Sequence, residues 1–188
     1  ILNMKGEVLP LTDECVTLMG EMEDGEVIEG EHHITLSPKK IKKVFYKEKA
    51  KANKEVLDKI KESDAIVFSM GSLYTSIIPN LLCKDVVKAI DNSNAKIIYV
   101  CNVVTQPGET DNFKVSDHIK VLEKYLGRKT IDVVIANNSP IPNNMSLLAK
   151  SEGKDPVEID YEKLEKKGIH VIAEKLFKVE EGYVRHDS

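Results

Sequence analysis

Three stretches of this sequence concentrate side chains that could hold a small polar ligand. The first, Phe68-Ser69-Met70-Gly71-Ser72-Leu73-Tyr74-Thr75-Ser76-Ile77-Ile78-Pro79-Asn80, offers a glycine for a tight turn and three hydroxyls near a helix start. A helix start presents free N–H groups and a partial positive charge, which suits a phosphate. Gly71, Ser72, Thr75 and Ser76 are the candidate contacts; the same residues could also act as an ordinary N-cap. The Gly-Lys-Ser/Thr ending of a Walker loop is absent. The second stretch, Asn102-Val103-Val104-Thr105-Gln106-Pro107-Gly108-Glu109-Thr110, combines amides, hydroxyls and a carboxylate. Asn102, Thr105 and Gln106 could orient a sugar or base by directed hydrogen bonds, or simply cap their own loop. Pro107-Gly108 fits the centre of a type II turn. The third, Asn137-Asn138-Ser139-Pro140-Ile141-Pro142, is turn-like, with Asn137 as its candidate contact. Arg185 adds a guanidinium able to hold a phosphate pair bidentately.

The remaining reactive residues point elsewhere. His32 and His33 are adjacent in a stretch that reads as extended, so their side chains should face opposite ways and not share a metal. Asp117-His118 opens a helix, where Asp favours the positive dipole end; His118 reads as a surface or capping residue. Neither a Ser-His-Asp arrangement nor a paired-carboxylate arrangement is legible. Cys15, Cys83 and Cys101 form no CxxC pair and read as buried, reduced thiols of a cytosolic protein. No metal site is expected. The Lys39–Lys51 region, basic and interleaved with Phe45 and Tyr46, reads as a solvated face among acids.

The elements that must position these residues follow from hydrophobic period. Residues 6–36 read as β-structure, with Asp24-Gly25 as a two-residue type I′ hairpin turn and Gly30–Leu36 extended. Lys42–Tyr46 is a further strand. Ala52, Val56, Leu57 and Ile60 repeat with helical spacing, as do Val86, Val87 and Ile90. Val115, Ile119, Leu122 and Leu126 line one helical face, which Gly127 ends. Asp64–Phe68, Lys96–Cys101 and Ile131–Ala136 are short apolar runs, the first two marked as strands buried on both faces. A helix over Tyr161–Lys167, a stop at Gly168 and a strand at Ile169–Ile172 follow. Strand and helix alternate, which predicts a Rossmann-like α/β fold: a mainly parallel sheet, helices on both faces, and the early hairpin as an extension or flap. Ligands of such sheets bind outside the carboxyl ends of the strands, so the three stretches should line one rim.

The chain has 188 residues with 27 Lys plus Arg against 31 Asp plus Glu, and 41% hydrophobic residues. That length suits one domain, 1–188, and that apolar share suits a packed core. The mild acidity argues against nucleic-acid binding, which needs a basic face. No run is long and apolar enough to span a membrane. Beginning at Ile1 and ending at Ser188 without a polar tail, the chain reads as a fragment.

Gly71-Ser72-Leu73-Tyr74-Thr75-Ser76-Ile77-Ile78-Pro79-Asn80-Leu81-Leu82 resembles the hallmark of the YvcK-type gluconeogenesis factors, within the CofD-like superfamily. Asn102–Thr110, the following Asp117-His118, the opening Leu2–Pro10 and the closing Val184-Arg185-His186-Asp187 are similar to further blocks of that family. Two departures stand out: Ser69-Met70 where Gly-Pro is common, and Ala149-Lys150-Ser151 where many relatives have a Tyr. The resemblance implies a three-layer Rossmann-like fold and a glycine-rich phosphate loop upstream of Ile1. It implies a cytoplasmic protein that binds a UDP-sugar and is linked to cell-wall growth and cell shape on gluconeogenic carbon sources. The CofD branch implies an alternative, a phospholactate transferase of deazaflavin coenzyme synthesis, for which Mg2+ would be the cofactor and Glu109, Asp111 and Asp117 are the only acids near the rim. The expected partners are a UDP-sugar or other nucleotide and a second copy of the chain in a homodimer.

Overall fold

A computed structural model describes residues 5–142, 150–180 and 183–186. Four short apolar runs build the main sheet: β4 (Ala65–Phe68), β5 (Lys96–Val100), β6 (Val133–Asn137) and β7 (His170–Glu174), all parallel and in the order β4-β5-β6-β7. Spatial order equals chain order, so every crossover steps in the same direction. Right-handed crossovers then carry their helices to the same face. The crossovers hold α4 (Lys84–Asn92), α5 (Val115–Glu123) and α6 (Tyr161–Lys166).

The packing agrees. Phe68, Ile97, Tyr99, Val134 and Ala136 share one buried core with Val86 and Ile90 of α4, Ile119 and Leu122 of α5 and Leu164 of α6. Val115, Ile119, Leu122 and Leu126, expected on one helical face, are all 0% exposed. Fully burying such a side chain contributes about 1.5–3 kcal/mol. The other face of the sheet carries Val67, Ile98, Val100, Val133, Ile135 and Ile172. None of these six joins a described core cluster, and Val67 is 54% exposed. The expectation that the run at Asp64–Phe68 is buried on both faces therefore fails for Val67. Its strand is the sheet edge, and the sequential winding sends the crossover helices to the opposite side.

A second, antiparallel sheet has the order β2-β1-β3, from β1 (Leu18–Met22), β2 (Val27–Glu29) and β3 (Ile41–Tyr46). Its hairpin departs from the two-residue turn expected. Met22 N–H bonds the Glu26 carbonyl oxygen at 2.8 Å, leaving Glu23, Asp24 and Gly25 as a three-residue loop. Gly25 has φ 89° while Asp24 is not left-handed, so a type I′ turn, which needs two such residues, is not formed. The extended reading of Gly30–Leu36 is also corrected: α1 spans Glu31–Leu36. Gly30, at φ 89°, turns the chain out of β2, and Ile34 alone of α1 is buried. His32 and His33 therefore lie on one helical turn, not on opposite faces of a strand; both are exposed, and His33 Nδ1 meets the Glu29 carbonyl oxygen at 3.0 Å.

Specific bonds tie the antiparallel sheet to the helices and loops around the parallel one. Val44 N–H donates to Tyr125 Oη at 3.1 Å, Tyr46 Oη donates to the Pro79 carbonyl oxygen at 3.1 Å, and Ile41 N–H donates to the Gly108 carbonyl oxygen at 3.1 Å. The lysines around β3 form exposed ion pairs, Lys39 with Asp24 and Glu26, and Lys42 and Lys43 with Glu21, as a solvated face should. Helix α2 (Lys54–Glu62) precedes β4, and α3 (Pro79–Leu82) precedes α4. A last hairpin, β8 (Phe177–Glu180) and β9 (Tyr183–His186), pairs Lys178 opposite Arg185. Cys83 and Cys101 are buried as expected; Cys15 is exposed, in the irregular segment before β1.

Candidate functional site

Because β4, β5 and β6 run parallel, the loops that follow them leave from a single edge of the sheet. After β4, the chain passes Gly71 and Ser72 and makes one π-turn over Leu73–Ile77, in which Ile77 N–H bonds Ser72 O and Ile78 N–H bonds Leu73 O, both at 3.0 Å. Pro79, which has no N–H to lose, then starts α3. Wide turns of this kind are frequent at functional sites.

The second loop grips the first. Asn102 Nδ2 donates to the Gly71 carbonyl oxygen at 2.9 Å, and Gln106 Nε2 donates to Ser72 Oγ at 2.8 Å. Directly after Gln106 the turn expected at Pro107-Gly108 is present: Glu109 N–H reaches Gln106 O at 3.1 Å, and Gly108 has φ 79°. Only glycine fits there, since a Cβ would stand 2.7 Å from the Ser37 carbonyl oxygen. The turn aims Glu109 inward. Its Oε2 accepts from Tyr74 N–H at 3.2 Å and its Oε1 from the Thr75 hydroxyl at 3.4 Å. Burial pushes the Glu109 carboxyl above the usual range, while the bonds from Tyr74 and Thr75 pull it back. An internal carboxylate thus occupies the start of the π-turn, where an incoming anion would otherwise be received.

The predicted contacts divide into committed and open groups. Thr75 is buried on Glu109. Thr105 is buried too, its Oγ1 accepting from Asp155 N–H at 2.9 Å. Asn137 Oδ1 accepts from Leu176 N–H at 3.2 Å and its Nδ2 donates to Ser139 O at 2.8 Å. That fastens the start of the last hairpin to the rim, where Phe177 packs with Val103 and Ile141. Ser76 is exposed. Asn102 Oδ1 and Gln106 Oε1 are buried with no hydrogen-bond partner among the described residues. Leaving such an acceptor unpaired costs about 1–3 kcal/mol. Arg185 has its backbone in β9; its side chain, like Asn144, Ala149 and Asp187, lies outside what is described.

Beneath the second loop lies a group that sequence reading misplaced. His118 is not a surface or capping residue but 0% exposed. Its Nδ1 lies 3.1 Å from Tyr99 Oη, and Phe113 packs edge-on at 5.5 Å between ring centroids. It follows Val115 by three positions, so it shares the buried face of α5. Burial depresses its pKa to about 4, against a smaller opposing pull from Asp117. Glu109's capping role was equally hidden, because its partners lie 34 and 35 positions away in the chain.

The acids near the rim are already engaged: Glu109 as above, Asp111 Oδ2 with Gly108 N–H at 2.9 Å, and Asp117 Oδ2 with Lys114 N–H at 3.0 Å. Among the described residues no group of three or more His, Cys, Asp or Glu could hold a metal ion. None of the described helices is long and apolar enough to cross a membrane.

Residues 1–177 match the family model of 2-phospho-L-lactate transferase CofD. The chain belongs to the CofD family. Within that family it is 39% identical over 189 residues to the gluconeogenesis factor of Bacillus subtilis, covering 100% of this chain and 60% of that protein. It is 39% identical over 187 residues to the gluconeogenesis factor of Listeria innocua, covering 99% of this chain and 57% of that protein. A crystal structure of a Bacillus halodurans protein superposes with a TM-score of 0.92 at 38% identity, covering 98% of this chain and 60% of that one. The chain thus spans about three-fifths of the length of these relatives.

Proposed function

We propose that this CofD-family chain is part of a cytoplasmic nucleotide-sugar-binding regulator of the gluconeogenesis-factor type, with a UDP-sugar as ligand and a link to cell-wall growth and cell shape on gluconeogenic carbon sources. The observation that carries the reading is the meeting of loops on one sheet edge, where Asn102 and Gln106 bond directly to Gly71 and Ser72. Open α/β sheets bind ligands at that edge. Relatives named gluconeogenesis factor match essentially the whole chain, which favours a regulator. In this reading Gly71, Ser72, Ser76, Asn102 and Gln106 face the ligand. Thr75, Thr105 and Asn137 hold the loops in place, and Arg185 neutralises the diphosphate. The test is a thermal-shift and calorimetric screen of the full-length protein against uridine and guanosine nucleotides; a ligand that binds the folded form raises its melting point. UDP-sugars should stabilise it, and Arg185→Ala should weaken their binding by about tenfold or more, as loss of a charge-assisted bond to phosphate does. Unchanged affinity would remove Arg185 from the site; no shift with any nucleotide would end the reading.

The family model's own description favours a second reading, a CofD-like transferase. Its Mg2+ would need carboxylates, and the fit is poor: Glu109, Asp111 and Asp117 are each bonded to a backbone N–H. Turnover of a guanosine-diphospho-lactate donor with a deazaflavin acceptor would decide for the enzyme.

A further inference from the structure

At the end of the rim formed by Asn102 and Gln106, two buried amide oxygens are left without a partner among the described residues. Asn102 cannot be turned round: its Nδ2 faces the Gly71 carbonyl oxygen at 2.9 Å, and the flipped amide would set two acceptors against each other. Its Oδ1 is therefore the free end, buried and without a partner among the described residues. Gln106 is adaptable, because the Ser72 hydroxyl at 2.8 Å either accepts from Nε2 or rotates to donate to the carbonyl. Beside them the Glu109 carboxylate already takes the Tyr74 N–H, and Ser76 N–H and Ile77 N–H are spent on Ser72 O. An anion placed against Asn102 and Gln106 would therefore face their unpaired amide oxygens.

We propose that Asn102, with Gln106 beside it, is the subsite for a hydrogen-bond donor of the ligand, a hydroxyl or an imide N–H, and that the phosphates lie away from it. This rests on the nucleotide-sugar reading and inverts the simplest expectation for the Gly71–Ser76 loop, which was phosphate. Asn102 pairs its oxygen only when such a donor enters, so the subsite selects for the donor and against an acceptor of the same size.

The test is a cycle of ligand and protein changes, read by calorimetry on the full-length protein. UDP-glucose is compared with analogues that delete one donor each: single deoxyfluoro sugars, the 2′-deoxyribose form and the N3-methyl base. The sugar, ribose and base arms separate the three sources of the donor. In the wild type one analogue should bind about tenfold more weakly, the value of one buried hydrogen bond. In Asn102→Ala the same analogue and UDP-glucose should bind within twofold of each other, because the partner oxygen is gone. Asn102→Ser, which withdraws Oδ1 and leaves a small hydroxyl in its place, serves if the alanine variant loses its fold. Equal binding of all analogues to the wild type, or a penalty undiminished in both variants, overturns the inference while leaving nucleotide-sugar binding intact. Failure of UDP-glucose itself to bind overturns both.

Discussion

The two faces of the parallel sheet are built from the same residue types yet live in different environments. Ile97 and Ile98 are neighbours on β5. Ile97 is 0% exposed among side chains of α4, α5 and α6, whereas Ile98 faces the side that no described core cluster reaches. The same split separates Val134 from Val133 and Phe68 from Val67. Composition along a strand therefore does not say which face is covered. Winding does: four strands laid down in chain order put their crossovers on one side.

The sharpest way to break this comparison is to truncate the two isoleucines in turn. Ile97→Ala should cost about 2–5 kcal/mol, as buried truncations do, and Ile98→Ala should cost about 1 kcal/mol or less. Urea unfolding of the 188-residue chain measures both; equal costs would mean the faces do not differ. Next in size is His118, on the covered side. Its pKa falls from 6.5 unfolded to about 4 folded, so the native state binds fewer protons. Its stabilisation is full above pH 6.5 and is lost as pH falls through 4, on the order of 3 kcal/mol. His118→Gln should flatten the acid limb of stability measured between pH 7 and 4; an unchanged limb would show that another group controls it. Smallest is Val67 on the open side. Val67→Thr should change stability by no more than about 0.5 kcal/mol. It should also lower the binding of a hydrophobic fluorescent dye to this chain; unaltered dye binding would mean that the apolar face is not the dye's target.

How much of this was legible in the chain depends on range. The parallel strands, the α5 face and the Pro107-Gly108 turn are local patterns, and each appears where the spacing puts it. Gly30 was present in the sequence but lay inside a run that otherwise reads as strand, so α1 was missed. Asp117-His118 at a helix start has a surface composition; only the rotation of α5 against Tyr99 buries the imidazole. At the candidate site, the three loops were readable from strand ends. The engagement of Glu109 and the stranded oxygens of Asn102 and Gln106 were not, because they arise from pairings across more than thirty residues of chain.

The contact at Gly108 has a mechanical consequence. Its backbone is pressed against that of Ser37 and Lys39 and bonded to Ile41, while the residue two before it holds Ser72. Any shift of the Gln106–Gly108 turn must therefore tug on the segment leading into β3. A reporter placed at that segment would register movement of the loop that carries Gln106.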